Sequence, residues 1–275
     1  MANPIITAAL NGPIATRANN PNLPETPAGI AASAKGAYDA GAAVIHLHLR
    51  DDQGNFTTDL DVARRTVELV REACPGVVQL STGGMFDYAD RLRLVEAKPA
   101  MATLNPCTMS FADAEFRNPP KEMRKMAARM IELGIKPEVE LYDVGHLGVM
   151  LDLVTEGLLL EPLQVSFVMG VKGGMPGDPQ ILSWLVRELP EGTSWQVIAI
   201  ARANLPMTTT GLAMGGNART GMEDTLMVAS HVLADSNAQL VSRLVGIAKS
   251  LQLEPATVDE VVKRLKLSPE LVNAG

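Results

Sequence analysis

Cysteine is nearly absent: Cys74 and Cys107 are the only two in 275 residues. Two thiols cannot build a disulfide framework, neither has a C-x-x-C partner, and a chain of this length does not need such staples. No basic cluster stands out and the formal net charge is −7, which argues against nucleic acid as a partner. An anionic ligand must then be held by local charges and backbone amides. No apolar run approaches the ~20 residues of a membrane span. Met1-Ala2-Asn3-Pro4 carries no basic n-region and leads straight into an apolar stretch, so no signal peptide is expected. A soluble cytoplasmic protein is the resulting expectation. Internal repeats, low-complexity tracts and a domain boundary are missing as well, which predicts one domain over residues 1–275.

What is present is a large apolar fraction, 47% of residues, enough for a sizeable core. The most informative stretch is Val44-Ile45-His46-Leu47-His48-Leu49-Arg50. Its alternation has the period of a strand, in which residues two apart share a face. His46 and His48 therefore point the same way, and with Arg50-Asp51-Asp52 following they form a candidate metal site. The alternative is a histidine pair that satisfies only local hydrogen bonds.

Strand and helix patterns alternate around this stretch. Strands are expected at Ile5–Leu10, Val77–Ser81, Met101–Asn105, Glu138–Asp143, Val165–Met169 and Trp195–Ile200, with an eighth unit around Met214–Arg219. Helices are expected from Thr26-Pro27 to Gly41, from Asp59 to Ala73, through Leu92 and Val95, from Pro119 to Leu133, around Met150 and Val154, and around Leu182 and Leu185. The methionines at 123, 126 and 130 are read as core packing. Two closing helices follow, one capped by Asp235 and one opened by the capping box Thr257-Val258-Asp259-Glu260. Eight strand–helix units in this length predict a (β/α)8 TIM barrel with additional C-terminal helices. An open Rossmann-type sheet should place G-x-G-x-x-G after its first strand, where Asn11-Gly12-Pro13 stands instead.

A barrel of this kind carries its active site at the C-terminal strand ends. Polar residues collect there: His46, His48 and Arg50; Ser81 and Thr82; Thr103 and Asn105; Glu138, Glu140 and Asp143; Arg202; then Arg219, Glu223 and Asp224. Barrel interiors ordinarily take branched apolar side chains, so the ensemble is hard to ascribe to packing. Each alone has a structural reading, as a turn residue, an acceptor or a surface charge.

In Pro21-Asn22-Leu23-Pro24, the His46–Asp52 run, Ser81-Thr82-Gly83-Gly84, Met101-Ala102-Thr103-Leu104-Asn105, Lys136-Pro137-Glu138-Val139-Glu140, Gly170-Val171-Lys172-Gly173-Gly174, Glu223-Asp224 and Ser236–Val241, the chain resembles the β-keto acid cleavage enzymes. These stretches run in order through nearly its whole length. The family consists of zinc-dependent TIM barrels that exchange an acyl group between a β-keto acid and acetyl-CoA. The resemblance implies zinc on His46, His48 and Glu223, with an open coordination position for the keto acid and Lewis-acid stabilisation of an enolate. Manganese, cobalt or iron would suit the same ligands. The resemblance makes Asp224 the general base with Arg219 beside it, an arrangement expected to lower the Asp224 pKa, and gives Glu140 an assisting role. It aligns Ser81 and Thr103 with contacts to the substrate carboxylate or oxyanion, and Thr82, Gly83 and Asn105 complete the expected substrate site. The implied reaction is a Claisen–retro-Claisen sequence that yields acetoacetate and a new acyl-CoA. A homotetramer is expected on the same grounds.

Departures from the family pattern are Asn217, where a histidine is expected in a Gly-Gly-His-x-Arg run, and Thr225, where Asn often follows Glu-Asp. They bear on loop positioning, not on the ligands. Ile14 offers no charge in the first loop, which predicts a substrate with a neutral or apolar tail. The glycine-rich segment at 170–177 reads either as a phosphate cradle for CoA assisted by Lys172 or as an ordinary glycine turn. Rival readings are a metal-dependent hydrolase, although only His146 and His231 remain as further histidines; a lyase of the hydroxymethylglutaryl-CoA type, which needs no acetyl-CoA; and a metal-stabilised binding protein.

Overall fold

Eight short strands are each long enough to cross a barrel wall and too apolar on their outer side to face water. They are β1 (Ile6–Ala9), β2 (Val44–Leu47), β3 (Val77–Leu80), β4 (Met101–Leu104), β5 (Lys136–Leu141), β6 (Gln164–Met169), β7 (Ser194–Ala199) and β8 (Asn217–Thr220). In this computed structural model, which describes residues 2–272, all eight pair in parallel and close into a barrel. Each strand neighbours the next in the chain, and β1 lies between β2 and β8. The expected TIM barrel is therefore the observed one.

The alternation along each strand sorts side chains into two environments. On β2, Ile45 and Leu47 turn outward and pack with Ile30, Val67 and Val70 of the helices Pro27–Asp39 and Leu60–Ala73. On β5, Val139 and Leu141 pack outward on Met123, Met126 and Met130, so the methionine stripe is core. The inward positions are polar. Thr7, His46, Gln79, Glu138, Ser166, Gln196 and Arg219 are all buried. The N-terminal end of the barrel is closed by Val261 and Leu265 of the helix Val258–Leu265, packed on Ile5, Val44, Val77 and Met101. Only the C-terminal end opens.

Several local expectations shift. Strand β2 ends at Leu47, so His48 lies just beyond it, and Arg50 contributes only an isolated bridge to Phe56. The helix expected from Asp235 is capped by Ser236, whose side chain accepts from Gln239 N, while the Asp235 carboxylate accepts from the Gln239 side-chain amide. The capping box at Thr257 forms as expected. A helix after β7, Asn204–Ala213, and two hairpins over the mouth, Met109–Phe111 with Ala114–Phe116 and Met227–Ala229 with Val232–Leu233, carry weak periodicity in the sequence and appear only in the structure.

Candidate active site

The second histidine reaches the mouth because the backbone leaving β2 is tied down. His48 N donates to Asn11 Oδ1, and Asn11 Nδ2 donates back to His48 O. The acid arrives from the turn after β8. Gly221 has φ +149°, and a Cβ there would sit 2.0 Å from Ala9 O, a position only glycine tolerates. Asp224 N and Thr225 N both donate to Gly221 O, closing one helical turn. That turn lets the adjacent Glu223 and Asp224 both face the mouth, which a strand would forbid.

His46 Nε2 lies 3.3 Å from Glu223 Oε2, and His48 Nε2 lies 3.5 Å from Glu223 Oε1. One ligand atom from each of the three falls within 4.8 Å of the others, and this is the one such His/Cys/Asp/Glu group among the described residues. His46 Nε2 and Glu223 Oε2 are both buried without a hydrogen-bond partner. Two unpartnered acceptor-capable atoms facing each other at this range fit a shared cation, and two imidazoles with one carboxylate leave coordination positions free. Gly12 lies against the acid, since a Cβ there would meet Glu223 Cγ at 2.8 Å.

Arg219 organises the acids. Its Nε and Nη2 donate to Asp224 Oδ2 and Oδ1 at 3.0 and 2.6 Å, and Nη2 also donates to Glu223 Oε1 at 2.8 Å. Its Nη1 is 3.7 Å from Glu140 Oε1. With the imidazoles neutral, three carboxylates face one guanidinium, a deficit that one dication cancels. Burial pushes the Glu223 carboxyl up, but Arg219, His46 and His48 together hold it well below the ordinary range. Burial pushes Glu140 up to about 7 against the pull of Arg219 and His46. His48 is lowered, chiefly by burial; for His46 burial acts downward but Glu223 prevails and the net shift is up. The expectation that Arg219 lowers the Asp224 pKa is corrected: burial outweighs the guanidinium, and the net shift is upward.

A cavity of about 890 Å³ opens above this cluster. His48, Glu140, Arg219, Glu223 and Asp224 line it, as do Ser81 and Gly83. Thr82, Thr103 and Asn105 are buried and stand behind the lining. Thr82 N donates to Thr103 Oγ1, and Thr82 Oγ1 donates to Thr103 O, so this pair braces the Ser81–Gly83 turn. Arg202 borders the cavity. Arg50 is committed elsewhere, donating to the carbonyls of Gly12, Ala15 and Gly54 and stacking over Phe56. Asp143 accepts from Gly145 N at a helix entry, and Glu138 lies deep in the barrel. In the glycine-rich segment, Gly170 N and Gly174 N donate to Met175 O and Val171 O, Lys172 O accepts from Ala112 N, and Lys172 pairs with Asp113. That segment supports the hairpin at 109–116.

Asn217 sits at the closed end, where its amide bonds Ile5 N, Ser194 Oγ and Trp195 O, two residues before Arg219. Thr225 bonds both the N and O of Met227 at the base of the second hairpin. Two contributors escaped the sequence reading. Tyr142 lines the cavity and donates to Glu140 Oε2 at 3.1 Å. Gln79 Oε1 lies 2.7 Å from His46 Nδ1; a lone polar residue inside the apolar run Val77–Leu80 was its signal.

Comparison with known proteins gives the family. A family model described as beta-keto acid cleavage enzyme matches residues 4–267. The chain is 39% identical over 267 residues to a 3-keto-5-aminohexanoate cleavage enzyme of Fusobacterium nucleatum, spanning 96% of this chain and 97% of that one. It is 33% identical to a 3-oxoadipate:acetyl-CoA acetyltransferase of Cupriavidus necator, spanning 92% and 91%. In three dimensions it resembles the apo structure of ObcA, with a TM-score of 0.75 at 20% identity over 90% of this chain and 66% of that one, a likeness of fold.

Proposed function

The chain belongs to the β-keto acid cleavage enzyme family, and from that premise we propose that it converts a β-keto acid and acetyl-CoA into acetoacetate and a new acyl-CoA. The observation that carries this reading is the convergence of His46, His48 and Glu223 beside the Arg219–Asp224 pair, with His48, Glu223, Arg219 and Asp224 lining one cavity.

In the proposed sequence Asp224 takes a proton from the carbon between the two carbonyls of the keto acid. The resulting carbanion attacks the thioester carbonyl of acetyl-CoA and expels the CoA thiolate. The thiolate adds to the substrate's own ketone carbon, the bond between that carbon and the former carbanion carbon breaks, and the proton held by Asp224 is returned. The acetyl group and the two carbons at the carboxylate end leave as acetoacetate; the remainder leaves as acyl-CoA. A divalent ion on His46, His48 and Glu223 would supply Lewis-acid polarisation of the keto acid oxygens. Arg219 keeps Asp224 oriented, and the raised pKa of that buried acid brings it closer to what a general base near neutrality requires. Glu140, which accepts from Tyr142 and lies near Arg219, would assist proton movement. Ser81 Oγ and the Gly83 region border the space that a substrate carboxylate would take.

The same reading takes zinc as the ion, a homotetramer as the assembly, and the cytoplasm as the compartment, where acetyl-CoA is consumed. Elemental analysis and sedimentation check the first two. The activity is tested with a panel of β-keto acids with and without acetyl-CoA. Acetoacetate formed only in the presence of acetyl-CoA supports it. Turnover of a thioester alone would favour a lyase, and hydrolysis without CoA a metal hydrolase; either result overturns the proposal.

A further inference from the structure

Below the three ligands the barrel interior holds a buried polar chain that the reaction does not use. Strand register sets it up: His46 stands directly opposite Gln79 on β3. His46 Nδ1 and Gln79 Oε1 are 2.7 Å apart. Gln79 Nε2 donates to Glu138 Oε2 at 2.8 Å, and Gln164 Nε2 reaches the same oxygen at 3.4 Å. Gln79 and Glu138 are both 0% exposed, so bulk solvent does not reach them.

The donors and acceptors leave one consistent assignment. With Glu138 as a carboxylate, which only accepts, Gln79 must turn its NH2 toward Glu138 and its carbonyl toward His46. A carbonyl also only accepts, so His46 Nδ1 must carry the hydrogen. A neutral imidazole has one N–H, which leaves a bare lone pair on Nε2. That atom is the buried one without a partner, aimed at Glu223 Oε2. His48 differs: among the described residues no hydrogen bond holds its Nδ1, and only its backbone is clamped, by Asn11.

We propose that Gln79 and Glu138 are positioning residues that lock His46 in the Nδ1–H tautomer, so that its Nε2 is a standing metal ligand before any ion arrives. The amide of Gln79 relays the carboxylate of Glu138 to the imidazole, in place of the direct carboxylate–histidine contact common at metal sites. The inference rests on the metal reading above and adds the source of the ligand's orientation.

The test uses zinc alone, with affinity measured by competition against a chromophoric chelator, and nitrogen-15 NMR of the histidine rings in metal-free protein. In the wild type, at a pH high enough for the ring to be neutral, His46 should show the Nδ1–H tautomer without metal. Gln79→Met should weaken zinc binding by roughly 10- to 100-fold, the usual effect of removing an outer-shell partner, and release the tautomer. Glu138→Gln should give a smaller loss, because an amide at 138 no longer forces the orientation of Gln79. The double variant Gln79→Glu with Glu138→Gln keeps the charge count and sets a carboxylate on the imidazole, so it should recover wild-type affinity, a rescue that mere packing would not produce. An Nε2–H tautomer in metal-free wild type, or zinc affinity in Gln79→Met within twofold of wild type, overturns the inference and leaves the metal reading standing. Absence of zinc binding by the wild type overturns both.

Discussion

Replacing Asp224 by Asn separates proton transfer from metal holding, because the two acids that share one turn have different partners. Both Asp224 oxygens accept from Arg219, at 2.6 and 3.0 Å. An Asn keeps one of these bonds and turns its NH2 against the other N–H. Losing one charge-assisted bond costs about 1.5–3 kcal/mol. The neutral amide recovers part of this, since burial already disfavours the Asp224 carboxylate. The expected net loss is on the order of 1–2 kcal/mol, a fall in Tm of roughly 2–8 °C for a chain of this size. The proposed metal ligands His46, His48 and Glu223 are untouched, so metal content should stay near one per chain. The effect on turnover is of another order: losing the general base costs about 10²- to 10⁴-fold, or roughly 2.7–5.4 kcal/mol in the barrier. The assay is acetoacetate release at saturating keto acid and acetyl-CoA, run beside elemental analysis and thermal unfolding. Turnover within threefold of wild type with zinc retained would refute the assignment of the base. Loss of zinc would refute the separation of roles, and would mean that Asp224 serves the charge balance of the ion site.

Chelation of the metal should lower Tm by on the order of 10 °C, since an ion present at a thousandfold excess over its Kd contributes about 4 kcal/mol; an unchanged Tm on complete removal would count against a resident ion in the folded chain. Ile14 is 70% exposed and borders the cavity, so kcat/KM should favour keto acids with neutral or apolar tails over ammonium-bearing ones of matched length. A clear preference for the ammonium would overturn that reading, and Ile14→Glu should move the preference toward it. Burial lowers Lys136 to about 8 from its ordinary 10.5. Because the folded value lies below the unfolded one, the unfolded chain binds more protons in this window, and stability should rise with pH from about 8 to 10.5. The gain is lost as pH falls through 8. Lys136→Met should flatten this slope in urea titrations across that range, and an unaltered slope would show that Lys136 is not its source.

The barrel was legible because its signals are local and repeated. Each strand is a short run of four to six residues with apolar or small side chains at its outward positions, and eight such runs separated by helical stripes admit few other arrangements. Boundaries slipped where a local signal was shared between neighbours. Asp235 and Ser236 are both good caps, and the structure uses Ser236 on Gln239 N while Asp235 takes the Gln239 side-chain amide. The helix Asn204–Ala213 was missed because its Thr208, Thr209 and Thr210 return their hydroxyls to carbonyls in the preceding turn, a habit that disguises a helix as a polar loop.

The three expected ligands were readable in sequence because His46 and His48 share a strand period and the remaining acid came with the family resemblance. What supports them was not readable, and the reason is register. Gln79 is separated from His46 by 33 positions and Glu138 from Gln79 by 59, so their contact depends on which residues of adjacent strands fall at the same height. A slip of one residue on β3 would turn Gln79 outward into the helix layer and Val78 inward, and His46 Nδ1 would lose the contact it makes with Gln79 Oε1. The inward alternation on β3 and β5 has to agree with that on β2 for the ligand to be held at all. The same buried polar interior that marks this barrel as unusual by composition thus also specifies its strand register, and a core repacked with branched apolar residues at 79 and 138 would be expected to keep the barrel while loosening its hold on the ion.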